Sequence, residues 1–236
     1  VPFITSATHG RVLALTFQDP TSRNSFSLRA AEELETIASS LNSKIKAIVF
    51  QSSGRVFCSG GNLSDHAAMR DPSEGMRANR RIGEILAHFA SLDVPTVGAV
   101  GGDCFGGGVE LISAFDTIIT VPHAVFGLWQ RRIGLSFGWG GGERLQARLG
   151  LKRLRRLALS TDVLSAREAL DVGLVDAIVP EANLHEEALK VALRLSALPH
   201  APVGPLKVWR SNEERRLFEA LWWNEEHRAV LSRRRV

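Results

Sequence analysis

Strand runs that alternate with helical stripes, two glycine clusters about one βα unit apart, and a loss of strand signals after Pro180 together predict an α/β protein with a helical C-terminal region. Arg11 to Phe17 alternates apolar and polar residues, as an early half-buried strand does. Ser27 to Leu41 sets Leu28, Ala31, Leu34, Ile37, Ala38 and Leu41 on one stripe of a helix. The apolar run from Ile45 to Phe50 reads as a buried strand leading to Phe57-Cys58-Ser59-Gly60-Gly61-Asn62-Leu63. Residues 64 to 76 are polar and contain Pro72, which predicts a mobile loop over a site. A helix over about Arg77 to Leu92 and a buried strand from Pro95 to Val100 follow. The Gly106-Gly107-Gly108 cluster then opens directly into a helical pattern through Phe115.

Asp116 to Val121 is a further buried strand, and helices are expected at Gly142 to Leu149, Lys152 to Ser160 and Ser165 to Asp171. The last begins with a capping box, Ser165 with Glu168, and ends at Gly173. Beyond Pro180, Ala182 to Leu198 and Asn212 to Leu231 read as helices separated by Pro199, Pro202 and Pro205. The expected division is therefore a core at 1–180 and a helical region at 181–236. The final helix carries Leu217, Phe218, Leu221, Trp222 and Trp223, more apolar surface than one isolated helix hides.

The chain has 236 residues, 44% hydrophobic and 23% charged, the composition of a globular protein with a substantial core. No apolar run reaches the roughly 18 residues that would span a bilayer. Val1-Pro2-Phe3-Ile4-Thr5 lacks the basic and apolar regions of a signal peptide, and two cysteines give no disulfide framework, so a cytoplasmic location is expected. Net charge is +4, with arginines clustered near 152–156, 215–216 and 233–235. Aromatic residues do not interleave with them, so these are read as solvated helix faces rather than a nucleic-acid surface. The seven histidines are scattered without metal-ligand spacing, and no metal site is expected. The glycine spacing matches neither dinucleotide nor P-loop fingerprints. Cys58 and Cys104 are read as small packing residues.

Glycines in both clusters allow close approach of the backbone and leave N–H groups free to point at a ligand. Together the two clusters look like a split oxyanion hole, in which one N–H from each loop would hold a thioester oxygen as it becomes an enolate. With these clusters, Arg23-Asn24-Ser25-Phe26, Phe126-Gly127 to Gly134, Gly138-Trp139-Gly140-Gly141, Leu164 to Ala169, Leu170 to Val175 and Val179-Pro180 stand in order along the chain. In these motifs the chain resembles the crotonase (enoyl-CoA hydratase/isomerase) superfamily over nearly its whole length.

The resemblance implies a spiral of ββα units with a C-terminal trimerisation region, and a homotrimer or dimer of trimers. It implies an acyl-CoA substrate, or an acyl-carrier-protein thioester, with no separate cofactor because coenzyme A is part of the substrate. No nucleic-acid or membrane partner is expected. The N–H groups of Gly61 and Gly107 become the oxyanion-hole donors, and Glu110 takes the place of the first catalytic glutamate. Ser59, Asn62, Leu63 and Ser64 lie along the coenzyme arm, with Arg23 as a phosphate contact. Asn62 replaces the family's usual aspartate.

The chain departs from the family at position 130, where the second glutamate of hydratases would fall. It carries Gln130, preceded by Trp129, and an amide cannot exchange a proton at neutral pH. Hydration uses two carboxylates around one water, so a one-glutamate reaction is expected instead. Local similarity to ethylmalonyl-CoA decarboxylase places decarboxylation slightly ahead of enoyl-CoA isomerisation, with hydration third. Trp129 and Phe137 would supply an apolar wall. A catalytically weak acyl-CoA-binding homologue is the alternative from another class.

Overall fold

A computed structural model describes residues 2–68, 71–207, 214–221, 224–226 and 228–229. Its larger sheet runs, in spatial order, β1 (Ile4–His9), β2 (Val12–Phe17), β3 (Ala47–Ser52), β5 (Thr96–Val100), β7 (Thr117–Thr120) and β10 (Ala177–Ile178). Its smaller sheet runs β4 (Val56–Cys58), β6 (Asp103–Phe105), β8 (Val125–Gly127) and β9 (Val163–Ser165). Among the described residues only the β1–β2 and β8–β9 pairs are antiparallel. The helices are α1 (Leu28–Ser39), α2 (Leu63–Ala68), α3 (Pro72–Ala90), α4 (Gly107–Ile112), α5 (Gly141–Leu149), α6 (Leu151–Ser160), α7 (Ala166–Asp171), α8 (Leu184–Ser196), α9 (Val203–Lys207) and α10 (Glu214–Leu221).

Each turn of the chain lays one strand in the larger sheet and the next in the smaller: β3 then β4, β5 then β6, β7 then β8. This is the α/β spiral of ββα units that the family resemblance implies. Parallel strands covered on both faces must be apolar throughout, and Ala47, Ile48, Val49 and Phe50 are all buried. Phe17, Phe50, Phe57 and Phe115 fill the space between the sheets; Phe50 stacks on Phe115 with ring centres 4.3 Å apart, and Phe17 meets Phe57 edge-on at 5.6 Å. Helix α1 starts at Ser27, whose side chain accepts from the Ala30 N–H, a cap that contributes about 1 kcal/mol. Its buried stripe, Ala30, Ala31, Leu34 and Ala38, packs beside α3, which buries Ile82, Ile85, Leu86 and Phe89.

Two expectations need correction. Residues 64–76 are not a loop where they are described; α2 and the first turns of α3 occupy them. Asp71 accepts from the Ser73 N–H at 2.9 Å and Pro72 takes the first helical position, a start signal that the polarity of the segment concealed. Pro72, Glu74, Met76 and Arg77 are exposed, so these turns lack the apolar stripe by which the rest of α3 is recognised. Second, the glycine clusters do not follow β3 and β5 directly. The short strands β4 and β6 intervene, each of three residues.

Helix α8 lies against β2, β3 and β5 and buries Leu184, Ala188 and Ala192 in the main core. Trp222, Trp223 and the side chains of Leu217 and Phe218 lie outside the described residues. Among the described residues no helix is long and apolar enough to cross a membrane.

Candidate active site

Helix α4 carries two of the residues singled out from the sequence, Gly107 and Glu110. Gly106, with φ +53°, turns the chain out of β6 so that Gly107 begins the helix and Glu110 falls one turn later. Glu110 is only 2% exposed, and four donors hold its carboxylate. Oε1 accepts from Gln130 Nε2 at 3.0 Å and from the Gly138 N–H at 3.3 Å. Oε2 accepts from the N–H groups of Trp139 at 2.9 Å and Gly141 at 3.1 Å. Gly141 must be glycine, because a Cβ there would lie 2.4 Å from Glu110 Cγ.

The two glycine clusters meet in front of this carboxylate. At Gly60, φ is +102°, and a Cβ would come within 2.9 Å of the Phe105 carbonyl oxygen and 3.2 Å of the Gly107 nitrogen. Among the described residues neither the Gly61 nor the Gly107 N–H has a hydrogen-bond partner in the protein. Both glycines and Glu110 line one cavity of about 520 Å³. Its apolar lining comes from Leu63 and Met76 on the α2–α3 side and from Ile133, Leu135 and Phe137 on the 133–139 segment. Arg80 lines it too. A smaller space of about 120 Å³ shares Gly61, Gly107 and Gln130 and is also lined by Ser59 and Trp129.

A family model described as enoyl-CoA hydratase/isomerase matches residues 7–215. The chain belongs to this family. It is 30% identical over 187 residues to human mitochondrial methylglutaconyl-CoA hydratase, covering 77% of this chain and 55% of that protein. The chain thus spans little more than half the length of that relative. A Rhizobium meliloti protein described as a probable enoyl-CoA hydratase is 31% identical over 234 residues, covering 94% of this chain and 90% of the relative. The crystal structure of an enoyl-CoA hydratase from Bacillus anthracis superposes with a TM-score of 0.90 at 24% identity, covering 98% of this chain and 95% of the other.

Among the residues singled out from the sequence, Gly61, Gly107, Glu110, Gln130, Leu63 and Phe137 come together around the larger cavity of this enoyl-CoA hydratase/isomerase family member. Ser59 and Trp129 line the smaller space; Trp129 stacks on Phe105 at 3.9 Å beneath the Arg132 guanidinium. Asn62 caps α2, its Oδ1 accepting from the N–H groups of Ser64 at 3.0 Å and Asp65 at 3.2 Å. Ser64 and the exposed Arg23 line neither space, although the Arg23 carbonyl accepts from the Ser59 N–H at 3.1 Å.

Three supporting residues had no assigned role in the sequence reading. Trp139 places its ring over Gly107, where a Cβ would be 2.5 Å away, while its indole donates to Asn79 Oδ1 at 2.8 Å. Arg144 clasps the carbonyls of Glu110 at 3.3 Å and Trp139 at 3.0 Å. Burial pulls its guanidinium below the ordinary value, and the charge of Glu110 opposes that shift. The glycine-tryptophan-glycine run was the available signal for Trp139; Asn79 and Arg144 sit on ordinary helix patterns. Burial pushes the Cys58 thiol up to about 12 and raises that of Cys104, which removes both as nucleophiles at neutral pH.

Proposed function

We propose that the protein forms an acyl-CoA enolate in the larger cavity and carries out double-bond isomerisation of a 3-enoyl-CoA with Glu110 as its single proton carrier. The observation that carries this reading is the set of partners around Glu110. All four donate and none accepts, so the carboxylate enters a reaction as a proton acceptor. It takes a proton from C2, the electron pair moves onto the thioester oxygen between the Gly61 and Gly107 N–H groups, and the dienolate forms. Return of the same proton to C4 leaves the double bond between C2 and C3. No second acid is required.

Decarboxylation of a malonyl-type thioester is the second reading. There the enolate arises by loss of CO2 and then needs a proton supplied to it, a weaker match for a carboxylate met only by donors. Hydration needs a second proton-transfer group, and Gln130 already spends its Nε2 on Glu110. Its Oε1 is buried without a partner among the described residues, an acceptor able to orient but not to ionise.

The test is turnover by mass spectrometry and absorbance. Trans-3-hexenoyl-CoA should be isomerised at roughly 1 per second or faster, and crotonyl-CoA hydrated at least about a hundredfold more slowly. Hydration of crotonyl-CoA at about 10 per second would overturn the one-glutamate reading. Gln130→Glu should raise crotonyl-CoA hydration, because two carboxylates at the present 3.0 Å contact must share a proton and so become an acid–base pair.

We further propose a trimer or dimer of trimers. Leu198 and Leu206, in the C-terminal part of the described chain, are 60% and 67% exposed, apolar surface that a neighbouring subunit would cover. Light scattering should return a multiple of three times 25.8 kDa. A monomer persisting at high concentration would contradict it.

A further inference from the structure

Two charged side chains line the larger cavity, and they differ in one respect. The Glu110 carboxylate is fully engaged. Arg80 has no ion pair or hydrogen bond among the described residues. The arginines on either side of it are occupied: Arg77 donates to Ser73 Oγ at 2.8 Å and lies 4.0 Å from Asp71, and Arg81 pairs with Glu35 at 2.5 Å and Glu84 at 3.7 Å. Glu84, one turn beyond Arg80 on the same helix and the nearest acid in sequence, is thus turned to Arg81. Arg80 stands one turn after Met76, and both reach the cavity wall.

Position along the cavity gives this cation a meaning. Gly61, Leu63, Gly107, Gln130 and Ile133 line both the larger and the smaller space, whereas Met76 and Arg80 line only the larger. A thioester oxygen held by Gly61 and Gly107 therefore lies at one end, and Arg80 lies away from it. Leu135 and Phe137, which line only the larger space, and Leu63 and Ile133, which line both, give the larger space an apolar wall that suits a short methylene chain.

Resting on the acyl-CoA reading given above, we infer that Arg80 is a specificity residue for acyl thioesters whose chain ends in a second carboxylate. A guanidinium presents a planar pair of N–H donors that fits a carboxylate in two parallel hydrogen bonds. An alkyl terminus offers it nothing and leaves it in solvent. The cation also stands apart from the oxyanion hole, so the carboxylate it selects is one the substrate keeps, not one lost as CO2.

The experiment compares two unreactive thioesters of equal chain length, adipyl-CoA and hexanoyl-CoA, by titration calorimetry on the full chain. Wild-type protein is expected to bind adipyl-CoA roughly tenfold more tightly, a preference that narrows as salt is raised. Arg80→Gln should bring the ratio of the two affinities close to one, and Arg80→Lys should keep part of it, since a point charge replaces the fork. Equal binding of the two thioesters by wild type, or an unchanged ratio in Arg80→Gln, overturns the role of Arg80 and leaves the acyl-CoA reading standing. Failure of both thioesters to bind removes the acyl-CoA reading itself, and this inference with it.

Discussion

Glu110→Gln is expected to lose turnover by about 10²- to 10⁴-fold on its best substrate, the range that a single acid–base group supplies. The substitution also has a structural cost that its similar shape conceals. An amide has one oxygen and one NH2, whereas all four present partners donate. The oxygen will keep the Trp139 and Gly141 N–H groups, the two backbone donors to Oε2. Gln130 can turn its amide so that Oε1, now without a partner, accepts from the new NH2. Only the Gly138 N–H, the longest of the four contacts at 3.3 Å, is then left facing a donor. The variant should therefore fold, melt a few degrees lower and bind an acyl-CoA with affinity within a few-fold of wild type. Single-turnover mass spectrometry with parallel calorimetry measures both quantities. A folded Glu110→Gln protein retaining a tenth of wild-type turnover would show that the proton travels through another group.

Gly107→Pro should cost on the order of 10²-fold or more in turnover by deleting one oxyanion donor. Proline is acceptable to the backbone at the first position of α4, where the N–H has no helical partner. Any side chain at 107 also presses on the Trp139 ring, which would lie 2.5 Å from its Cβ. Gly107→Ala is therefore the necessary companion, since it adds the same Cβ but keeps the N–H. Loss of activity in the proline variant well beyond that in the alanine variant isolates the donor. Equal losses would assign the effect to the displaced tryptophan and count against Gly107 as a donor.

Within the larger sheet β2, β3, β5 and β7 were legible because they are largely buried and apolar, as Ala47 to Phe50 are, whereas the mostly exposed β1 and the two-residue β10 were not. The smaller sheet was not. Val56-Phe57-Cys58 and Asp103-Cys104-Phe105 are too short to show a period, and their pairing is set by the spiral that brings them side by side. The site divides in the same way. Gly61, Gly107 and Glu110 lie in local motifs whose spacing shows in the chain. The hydrogen bonds that hold Glu110 arrive from residues 130 to 141, and Arg144 reaches back over 34 positions to the Glu110 carbonyl. Such contacts depend on three-dimensional closure. Arg80 and Arg81 are indistinguishable in the sequence as candidates for a substrate carboxylate or for an exposed helix face, and only the cavity wall and the Arg81–Glu35 pair tell them apart.

One proposed oxyanion donor and the proton carrier share the six-residue helix α4, three positions apart, and the segment 138–141 is fastened to the carboxylate by three N–H groups. The separation of the proposed donor and base is therefore set within α4 itself and by the hydrogen bonds that hold the carboxylate. By contrast, α3 meets the 138–141 segment at Asn79, by a hydrogen bond from Trp139, and at Gly83, which packs against the Trp139 backbone, and it brings Met76 and Arg80 to the cavity from other positions. On the proposed reading, substitutions at Met76 and Arg80 would shift substrate preference while leaving the reacting geometry in place, which makes this architecture easier to retarget than to inactivate from its rim.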